Sequence, residues 1–136
     1  MNLSDPRARD ESQLPAPRRW AVGAAALGGG LGTGLLGTSL HGHAVYGNGY
    51  VLPVGAVAAL VMLAAVELFV SLWSRNAWMV VVTGGAAYLC TGLLSIQLGA
   101  YGMISANLQG TVWLYGIAVV TPLVGWWAVR ILRKTK

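Results

Sequence analysis

Apolar residues fall into four long runs that are separated by short, more polar segments. The runs lie at about 20–40, 51–73, 77–98 and 111–129. Each has about the 20 mostly apolar residues that an α-helix needs to cross the hydrocarbon core of a bilayer. The pattern therefore predicts an all-α fold, an integral membrane four-helix bundle, with residues 19–133 as one domain.

The composition fits the same class of protein. Hydrophobic residues make up 56% of the 136-residue chain and charged residues 10%, whereas about a quarter of a soluble domain is charged. Between residues 20 and 129 the only charged side chains are Glu67 and Arg75. We expect residues 1–18, which are polar and contain three prolines, to form a disordered cytoplasmic tail and residues 134–136 a basic C-terminal tail.

Basic residues lie only in the segments at one end of the predicted helix bundle. Because Lys and Arg favour the cytoplasmic side of a membrane, their positions predict that both termini are cytoplasmic and that the connections 41–50 and 99–110 lie outside. The predicted location is a bacterial cytoplasmic membrane, crossed several times. The basic residues are Arg7, Arg9, Arg18, Arg19, Arg75, Arg130, Arg133, Lys134 and Lys136.

Aromatic residues near the ends of the runs agree with this orientation, because Trp and Tyr favour membrane interfaces. We expect one group at the inner boundary and another at the outer boundary. The inner group is Trp20, Trp73, Trp78, Trp126 and Trp127, and the outer group is Tyr46, Tyr50, Tyr101, Trp113 and Tyr115.

An alternative interpretation makes the first run a cleaved signal sequence, of the twin-arginine type because of Arg18 and Arg19. The apolar run is longer than a usual signal core, and the residues after the arginine pair, 20–22, match the twin-arginine pattern poorly. We therefore treat the first run as a spanning helix.

Glycines in the first run match a nucleotide-binding pattern but fit helix packing better. Residues 32–37 have the spacing GxGxxG, yet no strand precedes them and no acidic ribose ligand follows at the required distance. At helical periodicity Gly30, Gly34 and Gly37 share one face, and Gly30-x-x-x-Gly34 lets a neighbouring backbone approach closely. We expect this face to pack on a helix of the same chain, with a partner helix as the alternative.

A second stripe of small and polar residues lies on the third run. Gly84, Tyr88, Thr91 and Ser95 follow one another at steps of four, three and four, which places them on one face of a helix. Because hydroxyl groups in lipid need hydrogen-bond partners, we expect this face to point toward the other helices.

One acidic residue, Glu67, lies inside an apolar run and is the first candidate for a function. An acid near the centre of a spanning helix costs about 2.5–3.5 kcal/mol on insertion scales, and it faces the bundle interior with a polar partner. Thr83 lies as many residues after Arg75 as Glu67 lies before it, so both should lie at the same depth in the membrane, and Thr83 is the first candidate partner. Thr121 and Trp126 on the fourth run are further candidates. Glu67 is therefore either a proton or substrate site or a hydrogen-bonded structural residue.

Two histidines at the outer end of the first run, His41 and His43, are candidates for a metal site. They could share a metal ion only on an extended backbone, and no Cys, Asp or Glu lies on that side to complete the site. We interpret them as neutral polar residues at an interface, and we expect no metal and no cofactor.

Catalytic sets and nucleic-acid patterns are missing from the sequence. Ser39 lies near two histidines but lacks an orienting acid, and Cys90 has no histidine close to it in sequence. The basic residues are dispersed at the ends of apolar runs and are not interleaved with aromatic residues. We therefore expect neither an enzyme nor a nucleic-acid-binding protein.

Residues 99–116, GAYGMISANLQGTVWLYG, carry a resemblance to a known family. Their glycine and aromatic placement resembles a family of small four-span membrane proteins of unknown function from high-GC Gram-positive bacteria. The resemblance covers mainly residues 28–43 and 92–118. It implies the four-span fold, and it implies no activity and no functional residues.

Two functions from different classes follow from these observations. The first is a non-enzymatic accessory or scaffold subunit that contacts the lipid bilayer and another membrane protein. The second is a small proton-linked transporter or channel, a homo-oligomer in which Glu67 is the protonatable residue.

Overall fold

The computed structural model describes residues 17–96 and 107–134, which form four helices and one β-hairpin. Each of the four helices is long and apolar enough to cross a membrane. In chain order the elements are α1 (Arg19–Leu40), β1 (Val45–Gly47), β2 (Tyr50–Leu52), α2 (Val54–Ser74), α3 (Trp78–Ser95) and α4 (Leu108–Lys134).

The hairpin occupies the connection between the first two helices and shortens the second apolar run. β1 and β2 pair antiparallel, with Val45 opposite Leu52 and Gly47 opposite Tyr50. The turn between them uses Gly49 at a φ of 86°, which only glycine adopts readily. The second helix therefore begins at Val54 and not at residue 51 as predicted, because residues 51–52 are apolar but belong to a strand.

The remaining helix bounds also differ from the apolar runs. α3 ends at Ser95, and α4 extends from Leu108 to Lys134, so Lys134 belongs to a helix and not to the predicted C-terminal tail. Except for residues 17–18, the predicted N-terminal tail lies outside the described residues, as do residues 97–106 and 135–136.

Polar residues at the helix ends set where α3 and α4 begin. The Asn76 side-chain oxygen accepts a hydrogen bond from the Trp78 backbone N–H at 3.0 Å, and the Asn107 oxygen accepts one from the Gly110 N–H at 2.9 Å. Both bonds satisfy backbone donors that the first turn of a helix leaves free. The turn before α3 is tight, because Arg75 adopts a left-handed conformation with a φ of 52°.

The helices form a bundle in which α2 and α3 lie at the centre. α1 packs on α2 and α3, and α4 packs on the same two helices from the other side. We call the side of the bundle with the α2–α3 turn the Arg75 end and the opposite side the hairpin end. The start of α1 and the end of α4 also lie at the Arg75 end, because neighbouring helices in the chain run antiparallel.

Glycines bring the α1 and α3 backbones into close contact. A Cβ atom on Gly30 would meet the backbone carbonyl oxygen of Thr83 and would lie 2.7 Å from the Ala86 Cβ. One turn later, a Cβ atom on Gly34 would lie 2.9 Å from the Cys90 Cβ. The glycine face of α1 is therefore occupied by a helix of the same chain.

The main apolar core lies toward the hairpin end and is built around Trp113, which is fully buried. The indole ring occupies the space that a side chain on Gly37 would need. The other buried members of this cluster are Ala56, Ala59, Leu63, Ala87 and Ile117.

Candidate functional site

Glu67 lies on the buried face of α2, in the interior of the bundle, and its exposed fraction is 0%. The Thr121 hydroxyl group on α4 donates a hydrogen bond to the Glu67 Oε1 atom, with an oxygen–oxygen distance of 2.6 Å. The bond joins two helices that are far apart in sequence. A hydrogen bond that is shielded from water in this way stabilises the contact between the two helices.

Gly84 on α3 leaves the space in which this hydrogen bond forms. A Cβ atom at position 84 would meet both the Thr121 Oγ1 atom and the Glu67 Oε1 atom. Three helices thus meet at one point, where α2 supplies the carboxyl group, α4 the hydroxyl group and α3 the gap between them.

Two buried oxygen atoms near this point have no hydrogen-bond partner within the described part of the chain. They are the second carboxyl oxygen of Glu67, Oε2, and the Ser71 Oγ atom. Because the two residues are four positions apart on α2, they lie on the same helix face. Buried polar atoms without partners are uncommon in folded proteins, and a bound water, an ion or a functional role can account for one.

Thr83 is not the partner of Glu67, although it lies at a similar depth. Its hydroxyl group donates to the Met79 carbonyl oxygen of its own helix at 2.9 Å. The side of α3 that carries Thr83 faces α1, since the Thr83 carbonyl oxygen lies against Gly30. The prediction from depth fails here because depth does not specify which way a helix is rotated.

Trp126 points away from Glu67 and lies on the outer surface, with 58% of its area exposed. The Arg130 guanidinium carbon lies 3.9 Å above the centre of the Trp126 ring. This cation–π contact explains its orientation toward the Arg75 end, and it removes Trp126 from the Glu67 site.

The predicted polar stripe of α3 is only partly directed inward. Gly84 and Thr91 are buried, whereas Tyr88 is 42% exposed. The Tyr88 ring lies at the outer surface, where it lines a groove between α3 and α4. The buried Thr91 hydroxyl oxygen has no partner among residues 17–96 and 107–134.

The Nδ1 atoms of His41 and His43 each contact a backbone carbonyl oxygen at the end of α1. The His41 Nδ1 atom lies 2.5 Å from the Thr38 carbonyl oxygen, and the His43 Nδ1 atom lies 3.1 Å from the Leu40 carbonyl oxygen. His41 is buried and His43 is exposed. The described residues contain no group of three or more His, Cys, Asp or Glu side chains that could hold a metal ion.

The position of Trp113 differs most from the prediction. We expected it at the outer interface, but its indole N–H donates a hydrogen bond to the Thr38 Oγ1 atom at 3.3 Å inside the bundle. The contact links α4 to α1, two helices that otherwise touch little. The sequence signal is Gly37, which precedes Thr38 and provides the space for the ring.

Apolar grooves run along the outer surface between neighbouring helices. The α1/α3 groove has a volume of about 580 Å³ and is lined by residues such as Leu31, Gly85 and Leu89. The α3/α4 groove has a volume of about 550 Å³, and its lining includes Val81, Thr121, Pro122, Gly125 and Trp126. Glu67 lines neither groove.

Comparison with known proteins gives no relative for this arrangement. No family model, no curated protein and no solved structure matches the chain.

Proposed function

We propose that this chain is a non-enzymatic membrane protein with four spans that works as an accessory or scaffold subunit. Its outer helix faces contact lipid and another membrane protein. The observation that carries the proposal is the contrast between a closed interior around Glu67 and open apolar grooves on the outer surface.

The closed interior argues against a pathway through a single chain. Gly30 and Gly34 bring α1 and α3 to backbone contact, and Glu67 is fully buried and hydrogen-bonded to Thr121. On the outside, large apolar side chains are exposed on all four helices, among them Leu35, Val61, Leu89 and Val119. Such surfaces favour contacts with lipid and with other spanning helices.

The orientation that we propose places the Arg75 end in the cytoplasm of a bacterial cell. The basic residues of the described chain, which are Arg18, Arg19, Arg75, Arg130, Arg133 and Lys134, belong to segments at this end. The residues that connect α1 to α2 at the hairpin end, 41–53, include no Lys or Arg. This asymmetry is the one that positions helices across cytoplasmic membranes.

A second candidate function is a proton-linked transporter that works as a homo-oligomer. The observation in its favour is the Glu67 Oε2 atom, a buried carboxyl oxygen without a partner in the described residues. Intramembrane acids often mark proton or ion pathways. Because the Glu67 side chain is fully buried within the described part of one chain, we expect this function to require self-association.

Purification of the wild-type chain and of Glu67→Gln in parallel distinguishes the two functions. Each tagged protein is extracted from its native membranes in mild detergent, and its companions are quantified by mass spectrometry. We expect both chains to recover the same foreign membrane protein in near-equal amount. Glutamine keeps the shape of glutamate and still accepts the Thr121 hydrogen bond, so the fold and the outer faces are unchanged.

A homo-oligomer without any companion would contradict the accessory function. In that case both chains are reconstituted into vesicles with a proton gradient. Loss of gradient-dependent transport in Glu67→Gln, with an unchanged oligomer, would establish the transporter.

A further inference from the structure

The α3/α4 groove adjoins a basic pocket at the Arg75 end, and the two share Trp126. This basic pocket has a volume of about 260 Å³ and is lined by Trp126, Trp127, Arg130, Ile131 and Lys134. Trp126 lines both the groove and the basic pocket. The apolar groove and a site with two positive charges therefore lie on either side of one shared side chain.

The sequence of α4 produces this change from apolar to basic along one helix face. Pro122, Trp126, Arg130 and Lys134 follow at steps of four residues, which places them on one stripe. The guanidinium group of Arg130 lies 3.9 Å above the Trp126 ring. This contact keeps the charge beside the Trp126 ring, which lines the groove.

The described chain offers no carboxylate to these two charges. Glu67 is the only acidic residue within 17–96 and 107–134. It is fully buried and accepts a hydrogen bond from Thr121. Anions that approach Arg130 and Lys134 therefore meet no competing carboxylate from this part of the molecule.

We propose that the α3/α4 groove binds one anionic phospholipid. An acyl chain lies along the apolar groove, and the phosphate of the headgroup contacts Arg130 and Lys134. Arginine and lysine are the side chains that bind phosphate, and basic pockets beside spanning helices bind anionic headgroups. An entirely apolar partner helix would also fill the groove, but it would leave both charges without a counter-charge.

The inference rests on the proposed membrane placement and is independent of any protein companion. A chain that binds the anionic lipid but purifies without a companion supports the lipid site and contradicts the accessory function. A chain that keeps its companion but shows no lipid preference supports the accessory function and contradicts the lipid site.

Native mass spectrometry of the detergent-solubilised wild-type chain tests the proposal directly. Phosphatidylglycerol and phosphatidylcholine with identical acyl chains are titrated separately. We expect one phosphatidylglycerol to bind at least about tenfold more tightly than phosphatidylcholine, because each basic residue near a headgroup contributes about fivefold. The double variant Arg130→Gln/Lys134→Gln should bind the two lipids equally.

Two matched controls separate the site from a general effect of charge or of substitution. Arg133→Gln removes a positive charge from the same helical segment but outside the basic pocket, and it should keep the preference. Gly125 lines the groove, and a Cβ atom there would have one neighbour within 4 Å, Val80 at 3.8 Å. Gly125→Leu should therefore fill the groove and weaken the binding of both lipids. Gly92→Leu, at a position without neighbours within 4 Å, should leave both affinities unchanged.

Equal binding of the two lipids to the wild-type chain would overturn the proposal. The same conclusion would follow if Arg133→Gln reduced the preference as much as the double variant, since the effect would then be one of net charge. A stable dimer that Gly125→Leu disrupts, with no bound lipid, would assign the groove to a second copy of the chain.

Discussion

Gly30→Ala should separate α1 from α3 and lower the free energy of unfolding by about 1–3 kcal/mol, the usual range for overpacking a tight contact. The added methyl group would meet the Thr83 carbonyl oxygen and lie 2.7 Å from the Ala86 Cβ. The first of these neighbours is backbone, which cannot turn away as a flexible side chain can. Unfolding of the purified protein in mixed detergent micelles, titrated with dodecyl sulfate, measures the effect.

Gly32→Ala is the matched control on the same helix. A Cβ atom at position 32 has no neighbour within 4 Å, so the change removes a glycine from a helix without creating a clash. We expect no loss of stability and a gain of up to about 1 kcal/mol from helix propensity. Equal losses in both variants would show that the close approach of α1 and α3 is not what stabilises the bundle.

Trp113→Ala should reduce stability by about 3–5 kcal/mol, the range observed for removal of a large buried aromatic side chain. The substitution empties the centre of the main core, where Trp113 is completely buried. It also removes the hydrogen bond to Thr38 and with it the contact between α1 and α4. The same detergent titration measures the change.

Trp127→Ala is the control for loss of a tryptophan. Trp127 is 53% exposed on the outer surface of α4, and its removal should change the unfolding midpoint little. Trp113→Phe keeps most of the ring and loses the N–H donor, so we expect a loss between those of the two alanine variants. If Trp113→Ala and Trp127→Ala unfolded at the same midpoint, Trp113 would not be part of the stabilising core.

The four helices could be predicted because their signal is a local one. A run of about 20 apolar residues is read directly from the sequence, and each of the four helices found overlaps one of the four runs. The start of α2 was predicted wrongly because Val51 and Leu52 are apolar, and an apolar residue fits a strand as well as a helix. Pro53, which precedes the first helical residue, was the available signal.

The candidate site could be predicted only in part. Glu67 stands out in the sequence because it is the single acid among apolar residues, but its partner depends on how three helices are rotated. Thr83 and Thr121 both lie at a suitable depth, and the packing of α1 on α3 turns Thr83 away. The depth of a residue in the membrane can be counted along the sequence, whereas the direction in which its helix is rotated depends on how the helices pack.

The position of Trp113 could not be predicted for a similar reason. Tryptophan near the end of a spanning helix most often lies at the membrane interface, and the five other tryptophans of the chain are exposed. Trp113 is buried because Gly37 and Ala87, which are distant in sequence, leave space for the indole ring. Complementarity of this kind appears only when the helices are assembled.

The central claim is that four helices cross the membrane with the Arg75 end in the cytoplasm. Single-cysteine labelling in a Cys90→Ala background tests it most directly, in intact cells with a thiol reagent that does not cross membranes. Cysteine at Asn48, in the exposed hairpin turn, should react from outside. Cysteine at Asn76, in the Arg75 turn, should react only after the cells are opened. Labelling of Asn76→Cys in intact cells, or failure of Asn48→Cys to react, would contradict the proposed arrangement.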